Sequence, residues 1–548
     1  MTAFGATARR AGRWLPLIGL SALAGTLSML ALPAVLGRAV DEIVTGGDTG
    51  TWIAAAAGLL LLSMVADLAG AFAGVICTAN TTAWLRTRLV RHLLAIGPEG
   101  ARRFDTGDLV TRVSGNAADA ANAGPVLVTV VTGVLPPVGG VVLLAVIDPW
   151  LAAAFLAGIG LVVLVLRAFT KRTAEIVIAY QRIQGRIATR LTESLGGART
   201  IAAAGTVDRE RDRVLEPLPE LHEQGRRTWA VLSRASAQAA VVGPLVLVAV
   251  LAAGGLALSA GRITPGEMFA ASQYAVMGVG LGALTGVFGA LARARAGARR
   301  AGEVLEVDPV GYGAAALPDG PGRLDLRKVV VRAGEVTLLD GVDLTIPGGC
   351  AVAVVGHSGA GKSTLAAVIA RLRDPDDGEV LLDGVPIAEL AGPDLRRAVA
   401  CAFERPVLVG DTIADAIGPG LEPERVRAAA AAVHAHEFVS RLPEGYDTAL
   451  ADAPMSGGEL QRLGLARAWP AERVLVLDDA TSSLDMVTEM QIGQALTGGD
   501  HRTRLIVTHR VSTAARADLV VWLDGGAVRA VGPHERLWES ADYRGVFG

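Results

Sequence analysis

Nine consecutive residues, Gly356, His357, Ser358, Gly359, Ala360, Gly361, Lys362, Ser363 and Thr364, fit the pattern G-x-x-x-x-G-K-[ST]. Glycines at this spacing let backbone N–H groups curl round phosphates, the lysine reaches the outer phosphates, and the hydroxyl after it ligates Mg²⁺. The chain holds only three lysines, Lys171, Lys328 and Lys362, and uses arginine for nearly every other positive charge. One of the three therefore falls where a compact ammonium is needed. Downstream, Ser456-Gly457-Gly458-Glu459 has the spacing of a helix capping box. The apolar run Val474–Leu477 then ends in Asp478 and Asp479, and His509 follows Val507-Thr508. Together these residues point to binding a nucleotide polyphosphate with its metal.

The elements that must position this chemistry are also readable. Cys350 to Val355 is apolar and partly β-branched, as a buried parallel strand should be, and Leu365 to Leu372 continues as a helix. The loop thus sits at a helix N-terminus, where free N–H groups and the dipole favour anions.

The rest of the chain is of another kind. It has 548 residues, 51% of them apolar, which implies more than one domain and membrane segments. Runs without Asp, Glu, Lys or Arg cover 14–37, 49–66, 68–85, 120–147, 149–166, 235–261 and 268–292. A spanning helix needs about 20 mainly apolar residues. Only Asp67 separates the second and third runs, too short a break for a turn, so they are expected to form one helix. The expected spans are then 14–37, 52–85, 122–147, 149–168, 235–260 and 268–292.

Basic residues set the orientation. Arg86, Arg88, Arg91, Arg102, Arg103 and Arg112 fall between the second and third spans, and thirteen Arg or Lys lie from Arg167 to Arg234. The opposite loops offer little beyond Arg38 and Arg262, so both basic loops and both termini are expected on the cytoplasmic side. The first apolar run follows Arg9, Arg10 and Arg13, lacks a small-residue cleavage site, and is expected to be a span rather than a removed signal.

A net charge of −3 excludes a general nucleic-acid-binding role. Cys77, Cys350 and Cys401 give neither a paired framework nor metal spacing and are expected to be reduced packing residues. The Gly/Pro/Ala stretch Glu306–Gly322 reads as a linker that punctuates rather than packs.

With these motifs in order, the chain resembles an ATP-binding cassette half-transporter of the exporter fold. The resemblance implies a multi-domain architecture: an all-α six-helix transmembrane domain, residues 1–305, a linker, 306–322, and an α/β P-loop nucleotide-binding domain, 323–548. It makes Gly356–Thr364 the phosphate loop, Ser456, Gly457, Gly458 and Glu459 the signature, Asp478 the end of the Walker B strand, Asp485 part of the D-loop, and His509 the switch histidine. ATP and Mg²⁺ are the implied cofactors, with Mg²⁺ on Ser363, Asp478 and Glu404, and with Asp479, His509 and Glu404 as catalytic residues. Phe104–Arg112 resembles the first intracellular loop, and Glu193–Glu210 the second, with its coupling helix docking on the opposite nucleotide-binding domain.

The family also implies that two such domains meet head to tail, so Ser456–Gly458 would cap ATP held by a partner chain. The same residues can simultaneously cap their own helix. Thr508 is expected to pack, and His222, His501 and His534 to be ordinary surface histidines.

Three positions depart from the family pattern. Asp479 stands where brisk hydrolysers carry glutamate; losing one methylene retracts the carboxylate by roughly an ångström, and misplacement on that scale costs about a hundredfold in rate. Glu404 stands for the Q-loop glutamine; it adds a negative charge near the terminal phosphate and cannot donate a hydrogen bond when ionised, which puts coupling there in question, or else Arg405 pairs with it and the two are structural. Ala333 stands where a tyrosine stacks on the base, a contact worth about 1–3 kcal/mol, with Arg332 either substituting as a planar cation or simply exposed.

All three departures line the site on this chain's own loop, while the signature is nearly intact. The expectation is a heterodimer with a second half-transporter in the cell membrane, slow at its own site, exporting a small molecule, lipid or peptide. The alternatives are a nucleotide-binding regulatory half with little hydrolysis and an importer of a metal chelate on the exporter fold. Within the spans, Asp67 is either a functional carboxyl facing a cavity or one neutralised by a neighbouring helix. Asn80, Gln238 and Gln273 either line the same path or join helices.

Overall fold

The computed structural model describes residues 3–279, 283–497 and 501–547. The chain divides into two compact units, Met1–His92 with Asp105–Glu306, and Leu93–Phe104 with Val307–Gly548.

The first unit is helical. A short helix, Ala3–Ala11, precedes Leu15–Thr45, and Gly50–Ala95 runs without a break through Asp67. Leu15–Thr45, Gly50–Ala95 and Thr106–Ile147 are long and apolar enough to cross a membrane. The last of these is interrupted by a π turn at Arg112–Asn116. Pro149–Gly196, Leu218–Ser259, Pro265–Val279 and Ala283–Leu305 follow. The expected span 268–292 thus includes three residues outside those described, and the side chain of Gln238 also lies outside them.

Small residues let these helices approach: Gly70 faces Ser21, and a Cβ at Gly25 would meet the Asp67 carboxylate oxygen at 3.1 Å. Asp67 is exposed in the chain and lies against this small-residue face. Arg112, nearly buried, donates to Asp108 at 2.6 Å and Glu303 at 2.8 Å, which ties the start of one helix to the end of another 191 residues on.

The second unit carries two sheets. The strands are β1 (Leu324–Ala333), β2 (Val336–Ile346), β3 (Ala351–Val355), β4 (Asp377–Leu382), β5 (Val385–Pro386), β6 (Val399–Phe403), β7 (Val474–Asp478), β8 (Thr503–Val507), β9 (Leu519–Asp524) and β10 (Ala527–Gly532). An antiparallel sheet runs β2-β1-β4-β5, and a larger one β10-β9-β3-β8-β7-β6, parallel except for the β9–β10 edge. Every residue of β3 and β8 is buried; β3 accordingly reads as a continuous apolar run, whereas β8 opens on the buried polar pair Thr503 and Arg504 before Leu505–Val507.

Two stretches differ from the expected boundaries. Residues Leu93–Phe104, expected within the membrane domain, group with the second unit: Val310 N–H donates to the Ala95 carbonyl at 2.9 Å, and Glu99 lies 3.7 Å from Arg373. The linker also packs. Its backbone pairs with the 388–391 segment through Gly313, Ala315 and Ala391, and Tyr312 lies against the Arg371 guanidinium at 4.7 Å. Glycine and proline exclude helix there, but an extended backbone can still pair with a neighbouring edge.

Candidate nucleotide site

Four loops leave the C-terminal ends of adjacent parallel strands, the edge where open α/β sheets bind ligands. The phosphate loop follows β3, Glu404 follows β6, Asp478 and Asp479 close β7, and His509 follows β8. Register aligns them: Phe403 pairs with Asp478, and Asp478 with Val507. Residues distant in sequence are thereby brought together.

The loop's shape depends on glycine. Gly361 has φ 96°, and a Cβ there would meet the Leu338 carbonyl oxygen at 2.7 Å and Leu339 at 2.8 Å. Lys362 opens the helix Lys362–Ile369 and is buried. Its Nζ donates to the carbonyls of Gly356 and His357 at 2.8 and 2.9 Å. Burial lowers its pKa, and the charges of Asp479 and Asp478 oppose that shift.

Ser363 Oγ donates to Asp478 Oδ1 at 2.9 Å. Burial raises the Asp478 pKa; the Ser363 hydrogen bond works against this, while Asp479 and Glu404 add to it. Among the described residues no group of three or more His, Cys, Asp or Glu forms a cage for a metal. A hydroxyl beside one carboxylate is the donor set that Mg²⁺ prefers, since it leaves places for water and phosphate oxygens. The residues present therefore fit the implied ion.

Asp479 lies 3.5 Å from His509 Nε2 and is more enclosed than the histidine. Its pKa is raised by burial against the opposing charge of His509. Its backbone has φ 48°, a left-handed conformation that aspartate tolerates better than longer side chains do. Glu404 has a side chain 57% exposed and 3.8 Å from Arg405, a loose surface pair rather than a structural one. Ala333 and Arg332 are both exposed at the end of β1.

The signature residues face a different task. Ser456 caps the helix Gly457–Ala468: its Oγ accepts from Glu459 N–H at 3.3 Å, and Glu459 Oε2 accepts from Ser456 N–H at 2.8 Å. The Ser456 backbone donor lowers the Glu459 pKa. Asp485 accepts from the N–H groups of Val487 and Thr488 and so caps Met486–Thr497.

One residue escaped the sequence reading. Gln461 is buried and donates to the Glu404 carbonyl at 2.7 Å and to Ser482 Oγ at 3.0 Å, while accepting from Ser483 N–H at 2.9 Å. It ties the Glu404 loop to the loop before Asp485. The available signal was a polar residue four before Leu465, in the buried stripe of an amphipathic helix.

Thr508 is buried and accepts from Arg510 N–H, and burial pushes the Cys401 thiol up to about 12, as suits an inert packing residue. His534 is not a plain surface histidine. It bonds the Tyr543 hydroxyl at 2.9 Å within a cluster that includes Trp538 and Phe547, where burial lowers its pKa.

Comparison with known proteins identifies the family and the fold. Residues 15–280 match the family described as ABC transporter transmembrane region, and residues 339–482 match ABC transporter. The ABC transporter ATP-binding protein RamA of Streptomyces coelicolor is 49% identical over 97% of this chain and 85% of its own length. The ATP-dependent lipid A-core flippase of Chromohalobacter salexigens is 32% identical over 84% of this chain and 81% of its own. A solved bacterial Atm1-family ABC exporter with ATP bound, 24% identical, superposes with a TM-score of 0.77 over 98% of this chain and 97% of its own, which establishes the fold. The chain belongs to the ATP-binding cassette transporters, as an exporter-type half-transporter in which one multi-pass helical membrane domain and one ATP-hydrolysing domain share a polypeptide.

Proposed function

We propose that this chain is one half of a heterodimeric exporter in the cell membrane, with its nucleotide-binding domain and both termini cytoplasmic, and that the ATP site on its own phosphate loop turns over slowly. Lys362 holds the outer phosphates as a point charge, Ser363 and Asp478 hold Mg²⁺, and His509 steadies the terminal phosphate. Mg-ATP supplies the charged, cleavable phosphate chain. The protein's contribution is to position it and to offset its charge. Asp479 is the residue left to orient water, from a shortened side chain.

The observation that carries the reading is that the departures are confined to one half. Asp479, Glu404 and Ala333 all belong to the half built on this loop, whereas the Ser456–Glu459 cap is fully hydrogen-bonded. A partner with a complete phosphate-loop half would use that cap to close its own site. Docking of the second coupling helix also favours a partner chain: none of Ala198–Ala203 is buried, and Val407 and Val409 beyond Glu404 are 84% and 68% exposed. Each is a surface awaiting a complement. The cargo is a small molecule, lipid or peptide. Two relatives are named as a lipid A-core flippase and a fatty acid ABC transporter, which supports including lipids in that range.

The test is ATP turnover of the chain in lipid, alone and co-expressed with a half-transporter that carries glutamate after its own Walker B aspartate. Activity should appear mainly with the partner. Asp479→Glu should then raise turnover at this site by up to about a hundredfold, at a cost of about 1 kcal/mol in folding stability for placing glutamate in a left-handed backbone. Equal turnover by the chain alone, with no gain from Asp479→Glu, would sink the proposal.

A further inference from the structure

The N-terminal helix Ala3–Ala11 is seated on the first unit by an apolar contact in which Ala11, Ile18, Ala73 and Cys77 are buried together, with Trp14 and Leu15 packed against them. Immediately beside that contact lies a cavity of about 800 Å³. Arg10, Arg13 and Trp14 line it from the N-terminal side, and Trp84, Arg88 and Arg91 from the helix Gly50–Ala95. On that helix the three residues recur at i, i+4 and i+7, so the sequence places them on one face. The Arg88 guanidinium lies over the Trp84 ring at 5.5 Å.

No aspartate or glutamate is among the residues that line the cavity. Nor does any of its four arginines pair with a carboxylate among the described residues. Four like charges around one cavity repel one another unless an anion joins them, and a phosphodiester accepts the forked donors of several arginines at once.

The surroundings indicate where that anion comes from. The cavity sits at the start of one apolar span and at the end of another, and its two indoles are the residue type that settles at the membrane–water boundary. Just beyond Trp14, Leu17 and Leu20 are exposed, an apolar track on the helix surface beside a cationic cavity. A free phosphate would use the arginines and leave the leucines bare, whereas a lipid uses both. Basic pockets between membrane helices are suited to anionic headgroups.

We propose that this cavity binds the headgroup of an anionic phospholipid from the surrounding bilayer, with phosphate on Arg10, Arg13, Arg88 and Arg91 and acyl chains along Leu17 and Leu20. The site is separate from the ATP site and does not depend on the transported cargo.

Quenching of tryptophan fluorescence in nanodiscs tests it, with dibrominated phosphatidylglycerol or dibrominated phosphatidylcholine at equal mole fraction. Phosphatidylglycerol should quench more. Arg13→Gln with Arg91→Gln should weaken that preference by roughly fivefold per arginine removed, while Arg13→Lys with Arg91→Lys should retain most of it. Trp14→Phe with Trp84→Phe should remove the excess quenching and so locate it. Equal quenching by the two lipids would overturn the proposal, as would an excess that survives the glutamine changes. So would quenching by neither lipid, which would mean that protein covers the cavity, or arginine-dependent binding of millimolar inorganic phosphate without any phosphatidylglycerol excess.

Discussion

The half of the nucleotide site built on Gly356–Thr364 and the half built on Ser456–Glu459 hold their carboxylates in opposite ways. Asp478 and Asp479 are shifted up, chiefly by burial, and stand close to Lys362 and His509. Glu459 is shifted down, chiefly by the Ser456 backbone donor, and its oxygen is fully used inside its own helix cap. The first half is a buried pair of carboxylates beside Lys362 and His509, whose remaining charge a divalent cation would offset. The second is already satisfied and presents a helix N-terminus. The difference teaches that the two halves need not be equally good within one chain, because in the proposed dimer each would be completed by a different partner surface.

The largest expected effect breaks the first half. Lys362→Ala removes the only cation buried in the loop, and loss of a buried charged contact costs about 2–5 kcal/mol. ATP affinity of this half should fall on the order of a hundredfold, read by titration with a fluorescent nucleotide. Unchanged affinity would mean that the loop does not hold the phosphates.

Ser456→Ala sharpens the comparison further. It should lower stability by about 1 kcal/mol through loss of the helix cap, and should lower turnover only where this chain closes a partner's site. In a heterodimer, Lys362→Ala and Ser456→Ala strike different composite sites. In a homodimer both changes fall on every site, so their combined effect would be strongly non-additive. Steady-state ATPase rates of the single and double variants decide between the two.

The readable and unreadable parts of the molecule divide along the same lines. The phosphate loop was legible because its chemistry needs nine adjacent residues, and the strand immediately before it because full burial makes it apolar end to end. The membrane helices were legible as class because a bilayer demands length and apolarity at once. Gln461 was less so: its place in the buried stripe of its helix marks it as inside, but its partners are 21 to 57 residues away, and nothing local says what it holds. Nor did the grouping of Leu93–Phe104 with the nucleotide unit leave a trace, since it rests on a backbone bond from Val310 to Ala95 that almost any residue could make and on a contact between Glu99 and Arg373, far apart in sequence. The packed linker misled for the same reason. Composition says where helix stops; it does not say which edge an extended segment finds.

The smallest expected effect tests the sign of the carboxylate contrast itself. Because the Glu459 pKa is lowered in the folded chain, its contribution to stability is present above the ordinary glutamate value near 4.3 and is lost as pH falls through the lower folded value. Glu459→Gln keeps the cap's acceptor oxygen but removes the titration. Wild type should therefore exceed the variant by less than about 1 kcal/mol at pH 6, and the gap should close toward pH 3.5, as read by thermal unfolding in detergent. Asp478 and Asp479 work the other way: their raised values mean that the folded chain gains stability from protonation and loses it as pH rises through the folded pKa. A gap that widens on acidification would place Glu459 with those two aspartates, and the opposition between the halves would then have to rest on geometry alone.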